Sequence, residues 1–348
     1  MQIARVQFVV DNACQWRDWF VEVLGLPVVG DWCEADSHTI VLQAGIDYFW
    51  VTAPRSDNPS GTLRERSPAA RYLQDHPPGV ANVAFVTDDF EGVLDRALAQ
   101  GAQLVRGPQA GEAEICSPVG LHHTLLAASG ASSPSPVVTD FTGIDHIVLN
   151  VPQGQLAATV AWYEQVFGFQ RQQRFVIQTN YSALHSQVLV HPTSGLRWPV
   201  NEPASANSQI QEFLEANRGA GIQHLALGTA DILATTARRR AAGLRFLPVS
   251  PCYYEQAQVR YTDLDLGAAT WQAIAQQQVL LDSQAEPEGA VTPLLLQIFT
   301  QPIFGAPTFF FEFIERRHQA QGFGEGNFLA LVQAIEAEQR QRGSSLPA

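Results

Sequence analysis

The chain has 348 residues, more than a single hydrophobic core usually serves, so two domains of ordinary length are expected. Its composition, 46% hydrophobic and 16% charged, is that of a folded globular protein and excludes a disordered or low-complexity working state. With 34 acidic against 21 basic residues the formal charge is -13, which repels phosphate backbones and anionic membrane surfaces and so argues against nucleic-acid or membrane partners.

The opening segment, MQIARVQFVV, has no basic stretch followed by an apolar run and a small-residue cleavage site, and no later apolar run is long enough for a bilayer, which predicts a cytoplasmic protein. ARVQFVV reads as a strand and is followed by a helix ending in WRDWFVEVLGLP. GVANVAFVTDDFEGVLDRALAQGAQLV, from Gly79, reads as a strand, a helix starting near Asp88 or Asp89, and a Gly (Gly101) able to end that helix in the left-handed region. In LHHTLL the adjacent His122 and His123 face opposite ways on a strand, so they do not serve one compact site; with His318 they are read as non-catalytic. Cys14, Cys33, Cys116 and Cys252 form no C-x-x-C pair and are expected to be reduced, mostly buried thiols.

The Ala-, Ser-, Gly- and Pro-rich segment Ala128 to Asp140 reads as an interdomain linker. Beyond it the same punctuation returns. IDHIVLNV is a strand followed by a helix ending in VAWYEQVFGF, and GIQHLALGTADILATTARRRAAGLRFL, from Gly221, repeats strand, helix near Asp231 and Gly243 with the spacing of Gly79 to Gly101. The halves are a degenerate repeat, and two modules in each predict an α+β fold of four βαβββ modules. Asn82 occupies the place of His224, and the strand around Val6 has no histidine to match His146, so ligand-type residues gather in the second half.

Strand alternation puts Ile144, His146 and Val148 on one face, sets His224 between Ile222 and Ala226, and aligns Thr308, Phe310, Glu312 and Ile314 in TFFFEFIER. A single strand histidine is more often a hydrogen-bonded core or edge residue than a ligand. Glu312 sits among aromatic residues and so needs a cation or a proton, and an arginine or a metal would supply the cation equally well. Near the end, GFGEGNF does not match the G-x-G-x-x-G pattern and lies in no βαβ unit, so a nucleotide loop is rejected. NFLALVQAIEAEQRQRG after it reads as a helix with Asn327 as N-cap and Phe328, Leu331 or Val332, and Ile335 on an apolar side able to close over a pocket.

NEPASANSQIQEFLEANRGAGIQHLAL from Asn201, LLLQIFTQPIFGAPTFFFEFIE and GFGEGNFLALVQAIEAEQ closely resemble the 4-hydroxyphenylpyruvate dioxygenase family, a member of the vicinal oxygen chelate group built from βαβββ modules. The resemblance is dense from about Phe141 to Gly343 and thinner before that, where WFVEVLGLP and GVANVAFVTDD carry it. It implies a vicinal oxygen chelate fold of four modules in two domains, with residues 1–130 metal-free, a linker over 131–140, an iron-binding catalytic domain over 141–348, and a C-terminal helix over the active site. It also implies one Fe(II) per subunit held by His146, His224 and Glu312. Hydrogen-bonding pocket groups fall on Ser186, Asn201, Gln209, Gln223 and Gln297, and aromatic walls on Phe299, Phe323 and Phe328. Ideal alternation sends Gln223 to the face opposite His224, so contact with the site requires a twist, a bulge, or a role through a ligand.

The reaction implied converts 4-hydroxyphenylpyruvate and O2 to homogentisate and CO2 by decarboxylation, ring hydroxylation and side-chain migration, in a homo-oligomer, a dimer or tetramer. The alternatives are 4-hydroxymandelate synthase, which takes the same substrate with the same ligands but oxidises the benzylic carbon, and a non-catalytic aromatic-ligand-binding protein of this fold. A metal-dependent isomerase of the superfamily would have no use for the amide-rich pocket motif.

Overall fold

The computed structural model describes residues 1–55, 67–128, 137–262, 264, 266–283 and 292–344. Two eight-stranded sheets follow from the repeat. The first holds β1 (Gln2–Val9), β2 (Val28–Cys33), β3 (Ser37–Ala44), β4 (Asp47–Pro54), β5 (Gly79–Thr87), β6 (Gln103–Gln109), β7 (Glu112–Cys116) and β8 (His122–Ala127), in the order β2-β3-β4-β1-β5-β8-β7-β6. The second holds β9 (Gly143–Asn150), β10 (Gln170–Gln178), β11 (Ala183–Val190), β12 (Arg197–Pro203), β13 (Gly221–Gly228), β14 (Leu280–Ser283), β15 (Leu294–Phe299) and β16 (Phe310–Arg317), in the order β10-β11-β12-β9-β13-β16-β15-β14. Position by position the two orders are the same. In each module the first strand pairs in parallel with the last, as β9 does with β12 and β13 with β16, and modules meet antiparallel at β1–β5 and β9–β13.

Each module's first strand leads into a helix: α1 (Ala13–Glu22), α3 (Phe90–Ala99), α4 (Leu156–Phe167) and α6 (Ile232–Ala241). Asn12 and Asp231 cap α1 and α6 by accepting the N–H of Gln15 and Ala234, two of the donors a helix start leaves unpaired. Gly101 and Gly243, at φ 85° and 97°, follow α3 and α6 in the left-handed region, as the spacing predicts. Four further helices, α2 (Pro68–Asp75), α5 (Gln209–Asn217), α7 (Pro251–Arg260) and α8 (Gly267–Gln277), lie between strands, and α9 (Glu325–Ser344) ends the fold.

The halves share one core. Phe8 of β1, Phe20 of α1 and Phe49 of β4 pack on Phe309 and Phe311 of the β16 segment, with the Phe49 and Phe311 rings stacked at 6.1 Å. A second seam runs through Phe85, His123, Trp162, Tyr163, Phe167 and Trp198, where His123 meets the Tyr163 hydroxyl at 2.9 Å. Since the odd-numbered phenylalanines of β16 face this core, its even positions, Phe310 and Glu312, face the other side of the sheet.

Three expectations change. None of the cysteines is buried: Cys14 and Cys252 at the starts of surface helices and Cys33 on the edge strand β2 are exposed, and Cys116, at the end of β7, is half-buried. Asn327 is no N-cap, since α9 begins at Glu325; its buried side chain turns inward instead, donating to Gln297 Oε1 and accepting from the Tyr253 hydroxyl. Ile144 does not share a face with His146 but packs against the core, for a reason given below. Most of the linker expected at Ala128 to Asp140 lies outside the described residues. Among the described residues no helix is long and apolar enough to cross a membrane.

Candidate metal centre

The three residues singled out as ligands stand on three neighbouring strands in the middle of the second sheet, β9, β13 and β16. Ala226 of β13 is in register with both His146 and Glu312, and its small side chain leaves the space into which the longer groups reach. His146 Nε2 and His224 Nε2 lie 3.2 and 3.5 Å from Glu312 Oε2, and the three ligand atoms fall within 4.8 Å of one another. All three residues are buried.

The strands achieve this by breaking strict alternation twice. The pairing of β9 with β13 slips by one residue between Ala226 and Leu227, which makes Asp145 an extra residue on β9 and moves Ile144 to the core face. It slips again between Ile222 and His224, which makes Gln223 the extra residue on β13. In a regular strand a side chain cannot touch its immediate neighbour's; at these bulges it does. Asp145 Oδ1 is 2.9 Å from His146 Nδ1, and Gln223 Oε1 is 3.2 Å from His224 Nδ1. Gln223 therefore reaches the site through His224, the resolution of its apparent wrong-way orientation.

These contacts decide what the site can hold. With the proton on Nδ1, each imidazole donates to an oxygen acceptor and leaves Nε2, the nitrogen beside Glu312 Oε2, as the potential ligand atom. Two such nitrogens beside a buried carboxylate call for positive charge between them, a bound cation or a proton shared with Glu312. Burial alone would favour neutral groups, but the charge of Glu312 and its bonds to Asp145 and Glu312 raise the His146 value. Burial holds His224 below its usual value, and Glu312, despite burial, is held well below the usual carboxylate range by the histidines. Glu312 thus stays ionised with no arginine bonded to it among the described residues, its other oxygen accepting from Gln297 Nε2 at 2.8 Å. Two imidazole nitrogens and a carboxylate oxygen suit a divalent first-row metal and leave further coordination positions free.

Around this group is a cavity of about 80 Å³ whose walls contain every pocket residue expected from sequence. Ser186 stands on β11, Asn201 on β12 and Gln209 at the start of α5; Phe299, Phe323 and Phe328 form aromatic walls, with Phe323 edge-on to His146 at 5.1 Å. Asn201 Nδ2 donates to Asn150 Oδ1, while the buried Gln209 Oε1 has no hydrogen-bond partner among the described residues. Gln297 is more committed: Nε2 also donates to Phe323 O and Oε1 accepts from Asn327. Gly324 makes that possible, because any Cβ there would collide with the Gln297 amide. Leu331, Val332 and Ile335 of α9 complete the wall, the apolar side expected of that helix. Clefts of about 370 Å³ beside α7 and α9 and about 360 Å³ beside α4 are roomier but hold no such ligand group among the described residues.

Sequence reasoning missed Asp145 and Arg316. Arg316 grips Asp145 with two bonds, Nε to Oδ2 at 2.7 Å and Nη2 to Oδ1 at 2.8 Å, and with His146 it holds the part-buried Asp145 carboxyl far below its usual range. The signal for Arg316 was available, since it lies two alternations beyond Glu312. Asp145 was hidden by the bulge.

The fold and the ligand group define a class first: the Glyoxalase/Bleomycin resistance protein/Dioxygenase superfamily, whose model matches residues 2–114 and 143–265. A 4-hydroxyphenylpyruvate dioxygenase of Caenorhabditis briggsae is 32% identical over 372 aligned positions, covering 97% of this chain and 92% of the relative. An uncharacterized protein of Synechocystis sp. is 36% identical over 282 positions, 78% of this chain and 81% of its own. Among solved structures, a triple mutant of 4-hydroxymandelate synthase from Streptomyces coelicolor superposes with a TM-score of 0.83 at 25% identity, covering 97% of this chain and 98% of its own. The chain belongs to the 4-hydroxyphenylpyruvate dioxygenase family, and is an enzyme of that dioxygenase class.

Proposed function

We propose that the chain converts 4-hydroxyphenylpyruvate and O2 to homogentisate and CO2, with one Fe(II) per subunit held by His146, His224 and Glu312. The observation that carries this reading is the buried convergence of these three donors, with each histidine's other nitrogen already engaged, inside an apolar aromatic-walled cavity. Iron(II) held there supplies the activation of dioxygen and the oxidative loss of the substrate's carboxylate as CO2. The chain's own residues hold and orient. Asn201, Ser186 and the free Gln209 oxygen offer hydrogen bonds to the substrate's polar ends, and Phe299, Phe323 and Phe328 hold its ring and keep bulk water away. Gln223 and Gln297 act through His224 and Glu312 rather than on the substrate.

On this reading residues 1–130 are a metal-free domain, 131–140 a linker and 141–348 the catalytic domain, of a cytoplasmic homo-oligomer, dimer or tetramer. The structural likeness to 4-hydroxymandelate synthase supports a second reading, in which the same substrate is hydroxylated at its benzylic carbon. Protein purified without oxygen, loaded with Fe(II), given 4-hydroxyphenylpyruvate and then air, is expected to yield homogentisate by mass spectrometry against standards. 4-Hydroxymandelate would establish the second reading, and no product with iron bound would leave a ligand-binding role.

A further inference from the structure

The carboxylate behind His146 does more than fix an imidazole, because its partner also holds the chain segment that closes the pocket. Asp145 Oδ1 accepts from both His146 Nδ1 and Arg316 Nη2, and its Oδ2 accepts from Arg316 Nε. The remaining Arg316 nitrogen, Nη1, donates to two main-chain carbonyls, Ala320 O at 3.1 Å and Gly322 O at 2.9 Å. Those carbonyls belong to the turn between β16 and α9, in which His318 and Gln319 adopt φ of 52° and 58° and Gly322 and Gly324 of 77° and 73°. Left-handed backbone at two non-glycine residues is held against its own preference, so the turn needs outside anchorage. The side chains of Asp145 and Arg316 are 12% and 14% exposed, which lets an ion pair there stay effective where a surface pair would be screened.

We infer that Asp145 and Arg316 are a positioning pair that aligns two things at once: the Nδ1–H tautomer and orientation of His146, and the turn that carries Phe323 into the pocket wall and starts α9. The inference rests on the metal-centre reading above and deepens it. The two functions are joined by geometry, since Arg316 cannot move off Asp145 without also releasing Gly322, and Phe323, the next residue, packs edge-on against His146. Coupling of this kind is reciprocal: whatever orders the ligand orders the turn, and the converse.

Co(II), a spectroscopically visible stand-in for iron, is the probe. Titration of the metal-free full-length protein is expected to show one site, abolished in Glu312→Gln, and Asp145→Asn is expected to weaken it by roughly 10- to 100-fold with an altered visible spectrum, the usual cost of removing an outer partner of a ligating histidine. Arg316→Gln should weaken it too, Arg316→Lys should fall between because it keeps the charge but not the two-pronged grip, and the Asp145→Asn/Arg316→Gln double variant should lose little more than either single change. Asp140→Asn, which breaks the ion pairs to Arg238 and Arg239 elsewhere, should bind Co(II) like the parent and so separates positioning from general stability. Hydrogen exchange at residues 320–328 should slow when Co(II) is added to the parent and not when it is added to Arg316→Gln. Parent-like Co(II) affinity and spectrum in Asp145→Asn and Arg316→Lys, or equal slowing of exchange in Arg316→Gln, overturns the pairing alone; a parent protein that takes up no Co(II) overturns the metal-centre reading on which it rests.

Discussion

The first sheet carries the same frame as the second and none of its chemistry. Matching the two registers strand by strand, His146 corresponds to Arg5, His224 to Asn82 and Glu312 to Thr124. The bulges correspond as well: β1 and β5 slip around Ala4 and Ala81, where β9 and β13 slip around Asp145 and Gln223. The bulge is thus a property of the fold, present with or without a site, while the residue placed on it decides whether a neighbouring side chain gains a partner. Alanine at Ala4 and Ala81 offers none. In place of a ligand group the first sheet has a self-satisfied polar set, in which Arg5 pairs with Glu112 and lies over the Trp50 ring, His122 bonds Glu114, and Asn82 accepts from Thr124. Two opposed pairs satisfy each other there, where the second sheet gathers two imidazoles and a carboxylate whose ligand atoms lie within 4.8 Å of one another.

Writing one sheet's residues into the other is the most direct way to break that comparison. His224→Asn, which gives β13 the residue of β5, is expected to remove metal binding and turnover altogether while the fold persists, as checked by metal content, product formation and circular dichroism. The converse grafts Arg5→His, Asn82→His and Thr124→Glu should raise metal stoichiometry from one to two, and adding Ala4→Asp and Ala81→Gln should tighten the new site by roughly 10-fold or more by restoring each histidine's outer partner. Failure of the five-residue graft in a folded protein would mean that the registers match but the strand spacing does not.

What the sheets share can be probed next. Because Phe311 is buried in the core common to both, Phe311→Ala is expected to cost about 3–5 kcal/mol and to lower a single unfolding transition, not split it, in urea titrations followed by fluorescence and circular dichroism.

Two titratable groups tie the halves together with opposite signs. Burial pushes His123 down to about 3, so the neutral form is the folded one; its contribution is complete above the unfolded value near 6.5 and is lost as pH falls from there toward 3. Urea midpoints should therefore drop between pH 7 and pH 5 more steeply in the parent than in His123→Phe, a difference of about 2 kcal/mol over that window. Asp47, which accepts the Ile144 N–H at 2.6 Å, is pushed up by burial to about 6. Its folded state prefers the proton, so stability falls as pH rises from about 4 to 6, and Asp47→Asn should gain up to about 3 kcal/mol at pH 7.5 and little at pH 4. A flat difference across that range would show the carboxylate to be less buried in solution.

Much of this molecule was legible in the chain. The repeat of strand, helix and left-handed glycine fixed the four modules, since Gly101 and Gly243 mark the same helix end twice; alternation in TFFFEFIER put Glu312 opposite the core phenylalanines; and the resemblance placed all eleven site positions around one cavity. The apolar face of NFLALVQAIEAEQRQRG showed which helix closes that cavity. Tertiary structure alone decided the rest, because a bulge is a mismatch between two strands and exists in neither strand's sequence by itself. It turned Gln223 from a misdirected amide into the partner of His224, moved Ile144 to the core, and made Asp145 the link between His146 and Arg316. Periodicity reports which way a side chain points when its strand is regular, and the chemistry of this protein sits where the strands are not.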